Sequence, residues 1–523
     1  MFLHKKIKHT VLLLLAILPF VTLHSQSEKT TNVILEHADQ LTFDRSRNAE
    51  RQVLRGNVRF RHEGAVMTCD SAYFYTDNNS MDAFGNVRMV QGDTLFGYSD
   101  VLYYDGNKKL ALMRRNVRLI NRDVVLTTEQ LDYNRAADIA YYFDGGKITD
   151  PTNVLVSKRG YYYPASKLAE FRNDVKLTNP DFVLNSDTLK YNTFTKVAYI
   201  VGPSTIDHTD TRIYSELGNF NTVTQFVSLF KRSVIETNDG RVVTGDTIFY
   251  DKAIGLARAY RDVEIKDTIQ KIMLKGNIAR YNEAIGEAFI TNKALAIDYS
   301  SQDSLFLHAD SLFYLKDSIY NNMKAYHGVR FFRSDLQGKC DSIFYSSRDS
   351  ILTMFFEPVL WSENNQLTGD LIQIFIKDGA VDFIHVQGNA MAVMQDIDTL
   401  RFSQLVGREL RAFVVDGELR KVEVNGNTQS IYFPREDDGT LVGINRTESS
   451  FMTVHLQNNK VHKVVLYPGA SGKMMPDEGL VHEDIFFPQF AWHNEIRPQR
   501  KEDVFIRTAP PVRDNTDRRR RRR

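Results

Sequence analysis

A short word, Asp-Ser/Thr-Leu/Ile-aromatic-Tyr, returns about every 30 residues and constrains the fold more than any other feature of the chain. It reads Asp70-Ser-Ala-Tyr-Phe74, Asp100-Val-Leu-Tyr-Tyr104, Asp187-Thr-Leu-Lys-Tyr191, Asp246-Thr-Ile-Phe-Tyr250, Asp310-Ser-Leu-Phe-Tyr314 and Asp341-Ser-Ile-Phe-Tyr345. Looser copies end at Phe43, Tyr133, Tyr162, Phe220, Tyr281, Ile374 and Phe413. Successive anchors lie 29 to 33 residues apart, except for a step of 39 between Ile374 and Phe413 that reads as an insertion. A fixed period in this range marks an array whose units bury each other's apolar faces. The chain therefore reads as one elongated object, although 523 residues would otherwise suggest about two to four compact domains.

Within each word the apolar residues stand two apart, as in Leu102 and Tyr104, Leu189 and Tyr191, or Ile248 and Tyr250. Period two with many Tyr, Phe, Ile and Val predicts half-buried strands, not helices. A second word follows most anchors by 13 to 16 residues: Gly56-Asn-Val58, Gly85-Asn-Val87, Arg115-Asn-Val117, Asn173-Asp-Val175, Arg261-Asp-Val263, Glu357-Pro-Val359 and Gly388-Asn-Ala390. Asn, Asp, Gly and Pro share a tolerance for turn or bulge geometry, so this word predicts a bend or bulge leading into the second strand of the unit. The unit after Tyr281 lacks a clear copy. About 13 units of two strands predict about 26 strands, mostly antiparallel because the links are too short for crossovers. The recurring Asp reads as a strand-start or turn carboxylate.

The remaining features mostly exclude functions. Lys plus Arg total 66 against 65 Asp plus Glu, and a net charge of +1 does not favour nucleic acid. Lys5, Lys6 and Lys8 followed by an apolar run from Val11 to Leu23 predict a signal peptide over residues 1–25. Cys69 and Cys340 each precede an anchor Asp, nine units apart, and read as small buried residues beyond disulfide reach. The 13 histidines show no metal-ligand spacing, and no Gly-x-Ser-x-Gly or phosphate-cradling loop is present, so neither catalysis, cofactor nor metal is expected. After about Met475 the pattern stops; five prolines and the run Arg518 to Arg523 predict a disordered basic tail over 476–523.

The alternating Asp-x-Leu-x-Tyr strand followed by Gly-Asn-Val resembles the OstA-like family, which includes the lipopolysaccharide-transport proteins LptA and the N-terminal domain of LptD. The likeness runs from about Asn32 to Met475 and includes the word Gly426-Asn-Thr-Gln-Ser-Ile-Tyr-Phe-Pro434. The resemblance implies an all-β, elongated antiparallel β-jellyroll, here with a first segment at 32–200, a second at 201–425 and a C-terminal cap at 426–475. The large barrel of LptD has no counterpart in this sequence. It further implies a non-enzymatic periplasmic bridge or carrier, possibly associated with the outer membrane, that holds lipid A acyl chains of lipopolysaccharide in an apolar groove. Expected lining residues are Leu41, Phe43, Phe74, Leu102, Tyr104, Leu131, Tyr133, Leu189, Tyr191, Ile248, Tyr250, Tyr281, Leu312, Tyr314, Ile343 and Tyr345. Partners implied are other lipopolysaccharide-transport proteins docked by edge-strand pairing, or further copies of the chain end to end. The competing reading is a structural or adhesive β-repeat protein with a closed core; a polysaccharide-processing β-solenoid ranks third.

Overall fold

A computed structural model describes residues 31–43, 51–282, 284–316, 320–378, 380–436, 438–457, 460–479 and 481–507. The expected signal peptide and the terminal arginine run lie outside these residues. The chain divides into two compact units. One comprises the described residues up to Ile120 together with Gln130–Asp138, the other Asn121–Glu129 and the chain from Ile139 onward. The boundaries expected at 200/201 and 425/426 fall inside the strands Val197–His208 and Glu418–Tyr432.

Both units are antiparallel β-structure, and the described residues hold 34 strands. A typical strand has 11 or 12 residues and pairs along its whole length with the next, as Leu168–Thr178 does with Phe182–Asn192. Every such pairing is interrupted once, near its middle. In the first unit Arg55 faces Ser71 and Val58 faces Cys69, so Gly56 and Asn57 stand opposite the single residue Asp70. Two residues against one is a β-bulge, and it bends the strand.

The bend divides each strand into two arms, a tyrosine arm carrying the Leu-x-Tyr half and a valine arm carrying the residues after Asn-Val. In places the arms become separate strands. Ile139–Tyr142 pairs with Arg159–Tyr163 in the tyrosine arm, while Gly146–Thr149 pairs with Val154–Ser157 in the valine arm. Such splitting accounts for 34 strands where about 26 were expected. The second word is thus a bulge within a continuous strand, and does not lead into a new one.

The bulge residues take an uncommon conformation. Gly56 and Asn57, Gly85 and Asn86, Arg115 and Asn116, Asn173 and Asp174, and Arg261 and Asp262 all have positive φ in consecutive pairs. The unit after Tyr281 has the same device in Asn292 and Lys293, invisible as a word because Lys293 stands where the other copies have Asn, Asp or Pro. Each left-handed non-glycine residue costs about 1–2 kcal/mol. The recurring Asp offsets that cost from the neighbouring strand. Asn57 Nδ2 donates to Asp39 at 2.9 Å, Asn86 to Asp70 at 2.8 Å, Asn116 to Asp100 at 2.8 Å and Asn389 to Asp370 at 3.1 Å. His327 takes the same place beside Asp341 at 3.2 Å. Where it makes this bond the Asp locks the neighbouring bulge: Asp70 and Asp100 stand mid-strand, while Asp39 and Asp370 immediately precede the strands Gln40–Phe43 and Leu371–Lys377. Strand alternation alone cannot reveal this, because the partner lies one strand away.

The inward residue at the bend is a hydroxyl in several strands: Ser99, Ser157, Ser186 and Ser215, which precede Asp100, Lys158, Asp187 and Glu216, each donate to the carbonyl two residues on. Cys69 and Cys340 occupy this same position, both as buried free thiols, and burial pushes each pKa up to about 12.

The reading of a disordered tail from 476 fails for residues 481–507. This segment runs over the outer face of the valine arm in the second unit, where three buried glutamines hold it, two by its backbone and one by the Arg497 side chain. Gln404 accepts from Phe487 N at 3.0 Å and donates to Ile485 O at 2.8 Å. Gln366 accepts from His493 N at 2.8 Å and donates to Ala491 O at 2.7 Å, and Gln337 accepts from Arg497 Nε at 2.8 Å. Phe487 is buried among Met391, Val393, Val406, Ile431 and Met475, and the Phe505 ring stacks 4.6 Å from His308. The prolines mark a segment that cannot join the ladder, and apolar burial orders it nonetheless.

Gly85→Ala would place a Cβ 2.5 Å from the Asp70 carboxylate at a φ of +73°. We expect a loss of about 1–3 kcal/mol in urea unfolding, larger than at Gly64, which shares the positive φ (+78°) but has no atom within 4 Å. Phe487→Ala should release the covering segment, read as faster tryptic cleavage after Arg500 and Lys501 while the strands stay resistant.

Candidate functional site

The inner faces of the two arms meet. Phe60 on the valine arm packs 5.2 Å from Phe74 on the tyrosine arm, and Phe182 packs edge-on to Phe220 at 4.7 Å. Whether they enclose a core or a trough depends on position along the array.

From residue 52 to residue 220 the interior is sealed within each unit. Phe74, Leu102, Tyr104, Leu131, Tyr133, Leu189 and Tyr191, all expected to line a groove, are buried, with Tyr104 2% and Tyr191 4% exposed. The space left beside Met89, Met113 and Tyr133 is about 10 Å³, and that beside Leu155, Phe171 and Tyr191 is also about 10 Å³. Each is about the space of one water, far below an acyl chain.

The closure is polar at its rim. Tyrosines of the word reach from the tyrosine arm to a polar residue at the tip of the valine arm. Tyr104 Oη lies 2.6 Å from His62 Nδ1, Tyr133 donates to Gln91 at 3.3 Å, Asn121 donates to Tyr162 at 2.8 Å, and Tyr191 donates to Asp150 at 3.2 Å. The separations are 42, 42, 41 and 41 residues, so this clasp is itself a repeat. Two clasps lie in each unit.

Around Tyr104 the donors are ordered: Arg135 Nη1 donates to the hydroxyl at 2.6 Å, and His62 Nε2 lies 2.9 Å from Thr31 O. An Nε2–H bonded to that carbonyl leaves Nδ1 to accept from the tyrosine. Burial pulls the His62 pKa below its usual value, opposed by the bond to Thr31. At the fourth clasp burial favours a neutral Asp150, but the Thr152 and Asn153 amides, the Asn153 side chain and Lys196 at 3.1 Å hold its pKa low.

Beyond residue 220 the second unit changes. In the strands from Arg241–Asp251 to Leu305–Lys316, the inward residues that stay buried are those at the bend, Gly245, Ile248, Ala259, Val263, Gly276, Ala279, Ile290, Ala294, Ala309 and Leu312, while His308 is buried on the other face beside Phe505. Toward the tips the inward residues are half-buried. Val243, Ile265, Leu274 and Leu307 lie on the valine arm, and Tyr250, Tyr281 and Tyr314 on the tyrosine arm. The arrangement is a small-residue floor between an aliphatic wall and an aromatic one. Ile343 is buried and Tyr345 half-buried.

Leu41 and Phe43 belong to the edge strand Gln40–Phe43, paired on one side to Gln52–His62, and are 52% and 47% exposed. The word predicts the inner face but cannot say which copies lie at an array end. Sequence reasoning also missed the valine-arm half of the interior, although Val243, Ile265 and Leu274 follow the same alternation out of phase with any repeated word.

His62 titrates against folding on the acid side. With a folded pKa below the unfolded one, stability is full above about pH 6.5 and falls as pH drops through that value toward the folded pKa. His62→Gln should therefore flatten the fall in melting temperature between about pH 6.5 and 5; an unchanged slope would remove His62 from the account.

Among the described residues no helix is long and apolar enough to cross a membrane. No curated protein matches the chain. A family model described as OstA-like protein matches residues 30–187, and the all-β repeat continues past it to the strand Ser471–Met475. Over residues 30–187, this chain is OstA-like.

Proposed function

We propose that the protein is a non-enzymatic lipid carrier of the lipopolysaccharide-transport type, and that the half-open interior over residues 235–314 is where acyl chains lie. The observation that carries this reading is the change in burial along one repeated architecture: the same inward positions that are sealed at Tyr104 and Tyr191 are half-buried at Tyr250, Tyr281 and Tyr314. A folded chain has no reason to leave two apolar walls partly wet unless something else covers them. An acyl chain laid between the walls gains about 0.8 kcal/mol for each CH₂ removed from water. Aromatic residues suit such a wall because they offer large surface with few torsions.

The likeness to OstA-like proteins supports a periplasmic setting and lipopolysaccharide as the lipid. Partners fit the two ends of the strand order. The strands Ile34–His37 and Gln40–Phe43 at one end, and Lys460–Tyr467 and Ser471–Met475 at the other, each pair on one side. Exposed Ile34, Tyr467 and Met474 accompany these edges. Edges of this kind accept a further strand, from another transport protein or a second copy.

The sealed interior between residues 52 and 220 favours the second reading, a closed-core structural protein. A photoreactive residue at Tyr281 separates the two. We expect its cross-linking to lipopolysaccharide to exceed that at the exposed turn residue Asn78 several-fold, with Tyr104 no better than Asn78. Equal labelling at Tyr281 and Asn78 would reject the carrier.

A further inference from the structure

We infer that the tyrosine-arm tips of the second unit are a contact surface for a lipid bilayer: a row of exposed apolar side chains that sits in the membrane interface. The contact needs nothing in the trough, so it stands apart from the carrier reading.

Phe194, Val223, Ile254 and Ile285 occupy four successive turns of the tyrosine arm, those between Asn192 and Val197, Asn221 and Phe226, Asp251 and Leu256, and Asn282 and Glu287. They are 72%, 67%, 58% and 53% exposed. Neighbouring turns lie two strands apart, about 10 Å, so the row spans about 30 Å of one rim. The following turn exposes Tyr320. The turns themselves do not require apolar residues. The equivalent turn before the row exposes Ser166, and the one at 347–350 reads Ser-Arg-Asp-Ser. In the first unit the same position exposes Asn78 and Asn107.

The backbone holds the row in place. Thr193 donates to Lys167 O from its N at 2.9 Å and its Oγ1 at 3.1 Å, and Thr222 does the same to Lys196 O, so each of these turns is tied to the one before. The side-chain oxygens of Asn192, Asn221, Asp251 and Asn282 accept from the amides of Phe194, Val223, Ala253 and Ala284 at 2.9 to 3.1 Å. Such turns are stiff, and they present the apolar side chains at fixed spacing.

The chemistry of the row fits a bilayer and not a folded partner. Single apolar residues about 10 Å apart make no contiguous patch of the roughly 800 Å² that a stable protein interface buries on each side. Thr195, Thr224 and Lys252 are exposed between them. A fluid interface needs no matching shape and takes each side chain separately. Lys167 Nζ lies 4.5 Å over the Phe194 ring, and Lys252 is exposed in the same turn as Ile254. Ammonium groups so placed stand at the level of lipid phosphates. The opposite rim differs: Asp181, Asp210 and Asp239 are exposed at three successive valine-arm tips, with Ile269 at the fourth. Anionic headgroups repel those carboxylates, so the tyrosine-arm side meets the membrane. Tyr250 and Tyr281 stand four residues before Ile254 and Ile285, so the aromatic wall of the trough ends at this rim.

Flotation of the full chain with vesicles of phosphatidylethanolamine and phosphatidylglycerol tests the contact. We expect the unaltered chain to float with the vesicles, and Phe194→Ser/Val223→Ser/Ile254→Ser/Ile285→Ser to partition at least about tenfold less at an unchanged melting temperature. Ile269→Ser/Leu400→Ser removes residues 67% and 76% exposed elsewhere and should float like the unaltered chain. An NBD label on Ile254→Cys should shift to the blue with vesicles, and one on Ile269→Cys should not; Cys69 and Cys340 are buried and stay unlabelled. Should the fourfold variant misfold, the two NBD labels decide. Equal flotation of the folded fourfold variant, or no blue shift at Ile254, overturns the inference. So does a change from dimer to monomer in that variant with no flotation of either protein, which makes the row a contact between copies. Flotation that depends on the row, with no cross-linking of Tyr281 to lipopolysaccharide, upholds the bilayer contact and rejects the carrier reading.

Discussion

The bend in each strand is the interaction on which the rest depends. Two consecutive left-handed residues would be an unstable insertion in an isolated strand. At four bends the carboxylate of a neighbouring Asp accepts from the Asn of the pair, as Asp70 does from Asn86. The lock is made between neighbours, so each strand fixes the fold angle of the next, and the geometry propagates through the ladder. Without it an 11-residue strand would run straight and have only one apolar face to bury. With it, the strand turns its two halves toward each other and makes its own interior.

What fills that interior then varies by small means. Clasping tyrosines and large inward side chains close it between residues 52 and 220, leaving cavities of about 10 Å³. Phe220, fully buried against Phe182, ends this sealed stretch, and beyond it the inward tips around the bend residues Gly245, Ala259, Gly276 and Ala279 are half-buried. The covering segment 481–507 acts on the other face of the valine arm, through Gln337, Gln366 and Gln404. One arm thus has a solvent-facing outer surface in some units and a buried one in others.

Much of this was legible in the sequence. The 30-residue word, its period-two alternation and the Asn-Val word foretold antiparallel strands with a bulge, and the resemblance to OstA-like proteins agrees with the family match over residues 30–187. The misreadings have a common cause. Asp70 reads as a turn residue until Asn86 is placed beside it. Phe487 reads as part of a loose tail until Met391 and Ile431 are placed beneath it. Each is a residue whose role belongs to a partner on another strand, and composition windows along one strand carry no trace of that partner.

By itself, the sequence determined the repeat, the strand, the position of the bend and the face of each side chain, because all four follow from local periodicity and from residues that tolerate positive φ. Only the tertiary structure decided which stretches of the interior are shut. In the sealed stretch tyrosines meet polar tip residues 41 or 42 positions earlier, and at Phe220 the arms meet through packing on Phe182 instead. A one-dimensional pattern records which residues face inward but not the width of the gap they face.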